Sequence, residues 1–340
     1  MKLLEFTEHG IFCSQAGVYI DPWKPVDKAI VTHGHSDHAR PGNKYYLCHK
    51  DTAPVIKWRL GAEHTQKMNY LEPIYINGVE ISLHPAGHII GSSQVRVAYK
   101  GEVWVVSGDY KLENDGLSTP FEPVKCDVFI TESTFGLPVY KWRPQEEIFA
   151  EINSWWEQNK KNGLTSVLTG YSLGKAQRLL HQINRDIGPI YLHGAIYNIN
   201  RVLIDSGVGI SDMPRVLPEM KKEDFQHALI IAPPSALNSP WMKKFYPYVT
   251  ATASGWMSLR GTRRRRSVDR GFAISDHADW DGLNQAIKAT GAQKIIITHG
   301  YRNTFARWLR ENNYDAQIED TQFEGELTEI GESQLKEEKE

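Results

Sequence analysis

His33-Gly34-His35-Ser36-Asp37-His38 follows the apolar stretch Ala29-Ile30-Val31 and puts four candidate metal ligands into six residues. Imidazole nitrogens and carboxylate oxygens are the donors that zinc and similar divalent ions take. On an extended strand His33 and His35 would project to the same side. So short a turn cannot wrap four donors around one tetrahedral ion, so the run predicts two metals. It also demands a rigid strand to present it and further ligands delivered from elsewhere in the chain.

Three candidates for those ligands lie at the ends of apolar runs. His88 sits in Leu83-His84-Pro85-Ala86-Gly87-His88-Ile89-Ile90-Gly91-Ser92, where small residues let the backbone come close to a buried ion. Asp109 follows Val103-Trp104-Val105-Val106-Ser107-Gly108, and His299 follows Lys294-Ile295-Ile296-Ile297-Thr298 and precedes Gly300. His84 reads as a supporting or surface histidine.

With these residues the chain resembles the metallo-β-lactamase superfamily, whose signature is H-x-H-x-D-H followed by a later His, a bridging Asp and a final His. The resemblance implies that His33, His35 and His88 hold one divalent ion, that Asp37, His38 and His299 hold a second, and that Asp109 bridges them. Zinc is the expected occupant, with manganese an alternative for activity. Asp21, in Val18-Tyr19-Ile20-Asp21-Pro22, matches an Asp that supports the metal loop without ligating. Asp37 would both ligate and orient the nucleophile.

The substrate is narrowed by two further stretches. Asp127-Val128-Phe129-Ile130-Thr131-Glu132-Ser133-Thr134-Phe135-Gly136 and Gly271-Phe272-Ala273-Ile274-Ser275-Asp276-His277-Ala278-Asp279 look like two motifs of the β-CASP nucleases. Thr169-Gly170-Tyr171-Ser172-Leu173-Gly174-Lys175-Ala176-Gln177 resembles that branch's helix-opening element, and Ala253-Ser254-Gly255-Trp256-Met257 its A-S-x-G-M turn. A histidine at position 299 is usual in the RNA-processing members. The passage from Ala253 through Arg260, Arg263, Arg264, Arg265 and Arg266 to Trp280 is most similar to the bacterial DNA-ligase-associated exonucleases of the SNM1/Artemis-like type.

The implied fold class is α/β: an αββα metallo-β-lactamase sandwich with an inserted α/β β-CASP domain. Strand-like segments dominate up to Glu132, with Asn77-Gly78 as a hairpin signal between two of them. Helical patterns follow, one opened by Pro144 with Glu146 and Glu147 in its first turn and another beginning at Gly174. The expected boundaries are 1–136 and 266–330 for the sandwich and 137–265 for the insert. Residues 331–340 are expected to form a disordered acidic tail, within an acidic stretch from Gln322 that is dispensable for chemistry.

Composition is compatible with an enzyme of the cytoplasm. Cys13, Cys48 and Cys126 are odd in number and unclustered, which gives neither a disulfide framework nor a zinc-thiolate pattern. The first residues lack the apolar core of a signal peptide and no segment is apolar enough to span a bilayer, so no membrane partner is expected. A net charge of −2 argues against coating nucleic acid by bulk electrostatics. The run Arg263–Arg266 is a candidate for local phosphate contacts, and a solvated loop is the alternative.

His277 is not needed to complete either ligand set that the resemblance implies, so it is a candidate to contact the scissile phosphate or protonate the leaving 3′-oxygen, with Glu132 holding its tautomer; a structural hydrogen bond across the domain seam is the alternative. Ser172 and Lys175 at a helix opening are candidates for a terminal 5′-phosphate. The resemblance implies a DNA exonuclease acting 5′ to 3′ on single strands, in repair beside an ATP-dependent DNA ligase and a helicase. The alternatives are a β-CASP RNA-processing nuclease and a non-catalytic nucleic-acid-binding scaffold. Loss of ligands, the usual mark of the latter, is not seen.

Overall fold

The computed structural model of the chain describes residues 2–237, 239–259 and 268–323. It divides into two compact units, Met1–Lys141 with His277–Glu340, and Trp142–Asp276.

The first unit contains two sheets. One runs in chain order through Glu5–Phe6, Ile11–Cys13, Val18–Ile20, Lys28–Val31, Tyr45–His49 and Thr65–Met68, parallel from the third strand onward. The other is ordered Asp315–Ile318, Lys294–Gly300, Val128–Ser133, Glu102–Val106, Ser93–Tyr99, Val79–Pro85, Ile74–Ile76. Its first four strands are parallel and the rest antiparallel. Strand alternation sorts the apolar side chains between layers. Ile20 and Ile30 of one sheet share a core with Val97, Val106, Ile130 and Ile296 of the other. Ala29 and Val31 face away, against Ala53 and Ile56 of the helix Ala53–Leu60. Val105, Phe129, Ile295 and Ile297 likewise face the helices Trp280–Thr290 and Arg302–Glu311, through Leu283, Ile287, Phe305 and Leu309. The layers are therefore helix, sheet, sheet, helix.

Asn77 and Gly78 join Ile74–Ile76 to Val79–Pro85 with φ of 51° and 79°, the pair of left-handed residues that a two-residue hairpin turn requires.

The second unit is built on a five-stranded parallel sheet ordered Ile190–Leu192, Leu229–Ala232, Thr165–Thr169, Tyr248–Ala253, Arg270–Phe272. One face, with Leu168, Ile231 and Ala251, packs on the helices Gln145–Lys161 and Lys175–Gln182. The other, with Val167 and Ile230, packs on Phe225, Met242 and Phe245 from short 3-10 turns.

The unit boundaries fall at 141/142 and 276/277, against the expected 136/137 and 265/266. Tyr140 is buried in the first unit, with its ring 4.9 Å from Phe135 and its hydroxyl 3.0 Å from that of Tyr301. At the other end Arg270–Phe272 pairs with Tyr248–Ala253, which keeps the chain in the second unit up to Asp276. Gln322 and Phe323, expected to open an unstructured tail, instead belong to the first unit, and Phe323 is buried in its core. The expected tail 331–340 and the arginines 260 and 263–266 lie outside the described residues. Among the described residues no helix is long and apolar enough to cross a membrane.

Candidate metal centre

Parallel strands end together, so residues that leave their carboxyl ends converge. His33 follows Lys28–Val31 by two residues, Asp109 follows Glu102–Val106 by three, Glu132 is near the end of Val128–Ser133, and His299 is the penultimate residue of Lys294–Gly300. His88 lies in the loop joining Val79–Pro85 to Ser93–Tyr99, and His277 precedes the helix Trp280–Thr290. Three groups of donor atoms result, each with its atoms within 4.8 Å of one another: His33, His35, His88 and Asp109; His38, Asp109 and His299; and Asp109, Glu132 and His277. Asp109 is common to all three. Asp37 adjoins the second group, with Oδ2 3.6 Å from His38 Nε2, and stands outside the three sets.

Local hydrogen bonds orient the rings. Asp21 accepts from the Thr32 amide at Oδ1 (2.8 Å) and from the Thr32 hydroxyl at Oδ2 (2.6 Å). The hydroxyl proton is thereby committed, so the 3.0 Å contact between Thr32 Oγ1 and His33 Nδ1 is made by an Nδ1–H, and the lone pair of His33 is at Nε2. Asp21 Oδ2 also takes His38 Nδ1 at 2.8 Å. The second strand repeats the device: Thr298 Oγ1 donates to the Thr131 carbonyl at 3.2 Å and stands 3.0 Å from His299 Nδ1. The loop itself is stapled by Arg59, whose guanidinium donates to the carbonyls of Gly34, His35 and Ala39. Gly87 has φ +72°, and a Cβ there would stand 2.2 Å from the Lys111 carbonyl oxygen, so only glycine lets the His88 loop close.

The donor set fits divalent cations. His33 Nε2 and His38 Nε2 are buried without a hydrogen-bond partner, and each is 3.5 Å from Asp109 Oδ2. His299 Nε2 is 3.0 Å from Asp109 Oδ1 and His88 Nε2 is 3.9 Å from Oδ2. Burial, reinforced by His38 and opposed by Asp109, pushes His33 well below its ordinary pKa and keeps it neutral. Burial also disfavours the charged form of His38, but Asp109, Asp37 and Asp21 outweigh it and push His38 up to about 10. Asp109 is held well below the usual carboxylate range, against its own burial, by His38, His277 and His299. Carboxylates that draw this much positive charge onto one buried spot, beside imidazoles with aimed lone pairs, make a site for cations.

A protein from Opitutus terrae named "Probable DNA ligase" is 30% identical to this chain over 326 residues, covering 93% of the chain and 31% of that protein. The "RNase J-like protein" of Methanocaldococcus jannaschii is 28% identical over 214 residues, 53% of the chain and 50% of that protein. These relatives point to the metallo-β-lactamase/β-CASP nuclease family. The chain spans only a third to a half of the length of each. A crystal structure of a protein of unknown function from Enterococcus faecalis shares the fold, with TM-score 0.61 and 11% identity over 87% of this chain and 80% of that one. No family model matches the chain. The His/Asp groups gathered on Asp109 are suited to hold metal ions.

The remaining residues expected from the β-CASP motifs divide sharply. Glu132 and His277 meet: His277 Nδ1 lies 3.0 and 2.9 Å from the two carboxylate oxygens, and Oε1 also accepts from the Tyr110 amide at 2.9 Å. At the helix opening Ser172 is half-buried, and its carbonyl accepts from Gln177 Nε2 at 2.9 Å. Lys175, expected to meet a terminal phosphate, is fully buried with Nζ 3.1 Å from Asp276 Oδ2, so its charge is matched within the second unit. Thr32, Thr298, Arg59 and Phe323 bear on the donor cluster without having been identified from sequence. Only the two Thr-His-Gly triplets, each after a β-branched residue, were a signal to be found there.

Proposed function

We propose that the chain is a metal-dependent DNA exonuclease that hydrolyses phosphodiester bonds, running 5′ to 3′ on single-stranded DNA. The observation that carries the hydrolytic reading is Asp109, shared by all three donor groups, one of which contains the His277–Glu132 pair. In this reading His33, His35 and His88 hold one divalent ion, zinc or manganese. Asp37, His38 and His299 hold a second, and Asp109 holds both. Bound divalent ions supply a nucleophile at neutral pH and offset charge on the phosphoryl oxygens. Glu132 holds the Nδ1 proton of His277, and when the ring is doubly protonated its Nε2 proton would pass to the leaving 3′-oxygen, leaving the neutral imidazole with Nδ1–H still on Glu132. Asp37 beside His38 orients the attacking group. The arginines 263–266 are proposed to contact the phosphate backbone.

The choice of DNA is supported by the 326-residue likeness to the protein named as a probable DNA ligase, and an ATP-dependent ligase and a helicase are the proposed functional partners. A second reading, RNA processing, is favoured by the RNase J-like relative. Matched single-stranded DNA and RNA oligonucleotides, labelled at either end and incubated with manganese or zinc, decide between them, with Asp37→Ala as control. The expected outcome is release of short products from the 5′ end of DNA alone, with the variant inactive. Preferential RNA cleavage would move the protein to the second reading.

A further inference from the structure

Residues 319–323 run as a strap along the edge of the centre. The Glu319 amide donates to the Ile297 carbonyl at 3.1 Å, and its carbonyl accepts from Arg302 at 3.1 Å. The Thr321 hydroxyl donates to the Thr298 carbonyl at 2.9 Å, one residue before His299. Arg40 donates to the Gln322 carbonyl at 2.7 Å and, through Nε, to the Asp37 carbonyl at 3.3 Å. At Phe323, 8% exposed, the ring stacks on His38 with centroids 4.4 Å apart and planes 9° apart. It also meets His299 (5.7 Å, 74°) and Trp23 (5.7 Å, 78°) edge-on.

We propose that Phe323 is a positioning residue for one of two ion subsites: it fixes the ring planes of His38 and His299 and thereby sets the affinity of the ion they share with Asp109. This rests on the two-ion reading above. The hydrogen bond from His38 Nδ1 to Asp21 fixes one edge of the imidazole but leaves the ring free to tilt about that bond. A face-to-face aromatic neighbour removes the tilt and excludes water from the back of the ligand. The strap is tied to the chain on both sides of this subsite, at the residue before His299 and at the arginine that grips Asp37.

The test is titration of the full, metal-stripped chain with Co(II), read by its visible spectrum, and with Zn(II) against a chromophoric chelator. Wild type is expected to take two ions. Phe323→Leu, which keeps apolar volume but loses the ring face, is expected to bind one ion as wild type does and the other about tenfold or more weakly. Phe323→Tyr, which restores the ring, is expected to recover both. Thr321→Val unties the strap without altering Phe323 and is expected to weaken the same ion in the same direction. Unchanged affinities in Phe323→Leu overturn the proposal. So does an equal loss at both subsites accompanied by a lower unfolding midpoint of the stripped protein, because that is loss of core packing. Wild type taking fewer than two ions breaks the underlying two-ion reading and is distinguishable because it needs no variant.

Discussion

The ligand run at 33–38 and the helix opening at 171–178 are equally rich in residues that suggest function, and they differ in how the chain treats their polar atoms. In the run, His33 Nε2 and His38 Nε2 are buried with no hydrogen-bond partner, facing a carboxylate. At the helix opening the Gly174 amide donates to Gln177 Oε1 at 2.6 Å, and Gln177 Nε2 donates to Ser172 and Asn200. Lys175 and Arg178 both face Asp276, and Arg178 also reaches Gln145. Burying a polar atom without a partner costs about 1–3 kcal/mol. A fold that bears this cost twice in one cluster facing a single buried carboxylate has left the atoms for a ligand, whereas at the helix opening the charges of Lys175 and Arg178 are matched by Asp276.

The contrast is broken most directly at Asp109. Asp109→Asn keeps the shape and removes the charge that all three groups share. Turnover of a phosphodiester is expected to fall by about three orders of magnitude, in line with the several kcal/mol that metal charge supplies, with metal content falling in parallel. An Asn variant that keeps both its metal and its rate would mean that the cluster is not the reactive centre.

What was legible in the sequence follows from the same distinction. The ligands announce themselves because His and Asp at strand ends carry their chemistry in their own side chains, and Asp109 and four of the residues grouped around it, His33, His35, His88 and His299, each stand next to a glycine, a spacing that is local. Phe323 was hidden because an acidic stretch averages out one aromatic, and its role comes from His38, far away in sequence. Thr65–Met68 reads as polar because an edge strand shows much of its surface to water. The boundary at 276 depends on Arg270–Phe272 pairing with Tyr248–Ala253, a contact with no local signature.

A sharper test uses protons. His38 is pushed up to about 10 by its carboxylate neighbours, so in metal-stripped protein it carries a proton at neutral pH. The raised value stabilises the stripped fold fully below the ordinary histidine pKa of about 6.5, and that contribution is lost as pH climbs toward 10. An ion that takes the Nε2 lone pair must displace the proton. Its affinity is therefore expected to rise about tenfold per pH unit between roughly pH 7 and 9. Calorimetry in two buffers of different ionisation enthalpy counts the proton released, and a pH-independent affinity would separate His38 from the metal.

The smallest expected effect on activity is at Lys175, and it bears on the other side of the contrast. Lys175→Met keeps most of the aliphatic stem and deletes the charge, leaving the Asp276 carboxylate buried opposite Arg178. Removing one partner of a buried ion pair costs about 3 kcal/mol, so urea unfolding is expected to shift clearly. A lysine committed to Asp276 does not read the end of a substrate. The ratio of cleavage rates on 5′-phosphorylated and 5′-hydroxyl oligonucleotides is therefore expected to stay at the wild-type value, per folded molecule. If the variant instead lost cleavage of phosphorylated ends selectively, Lys175 would have to leave Asp276 to meet the substrate. Internal satisfaction of a polar group would then be a poor guide to its having no function.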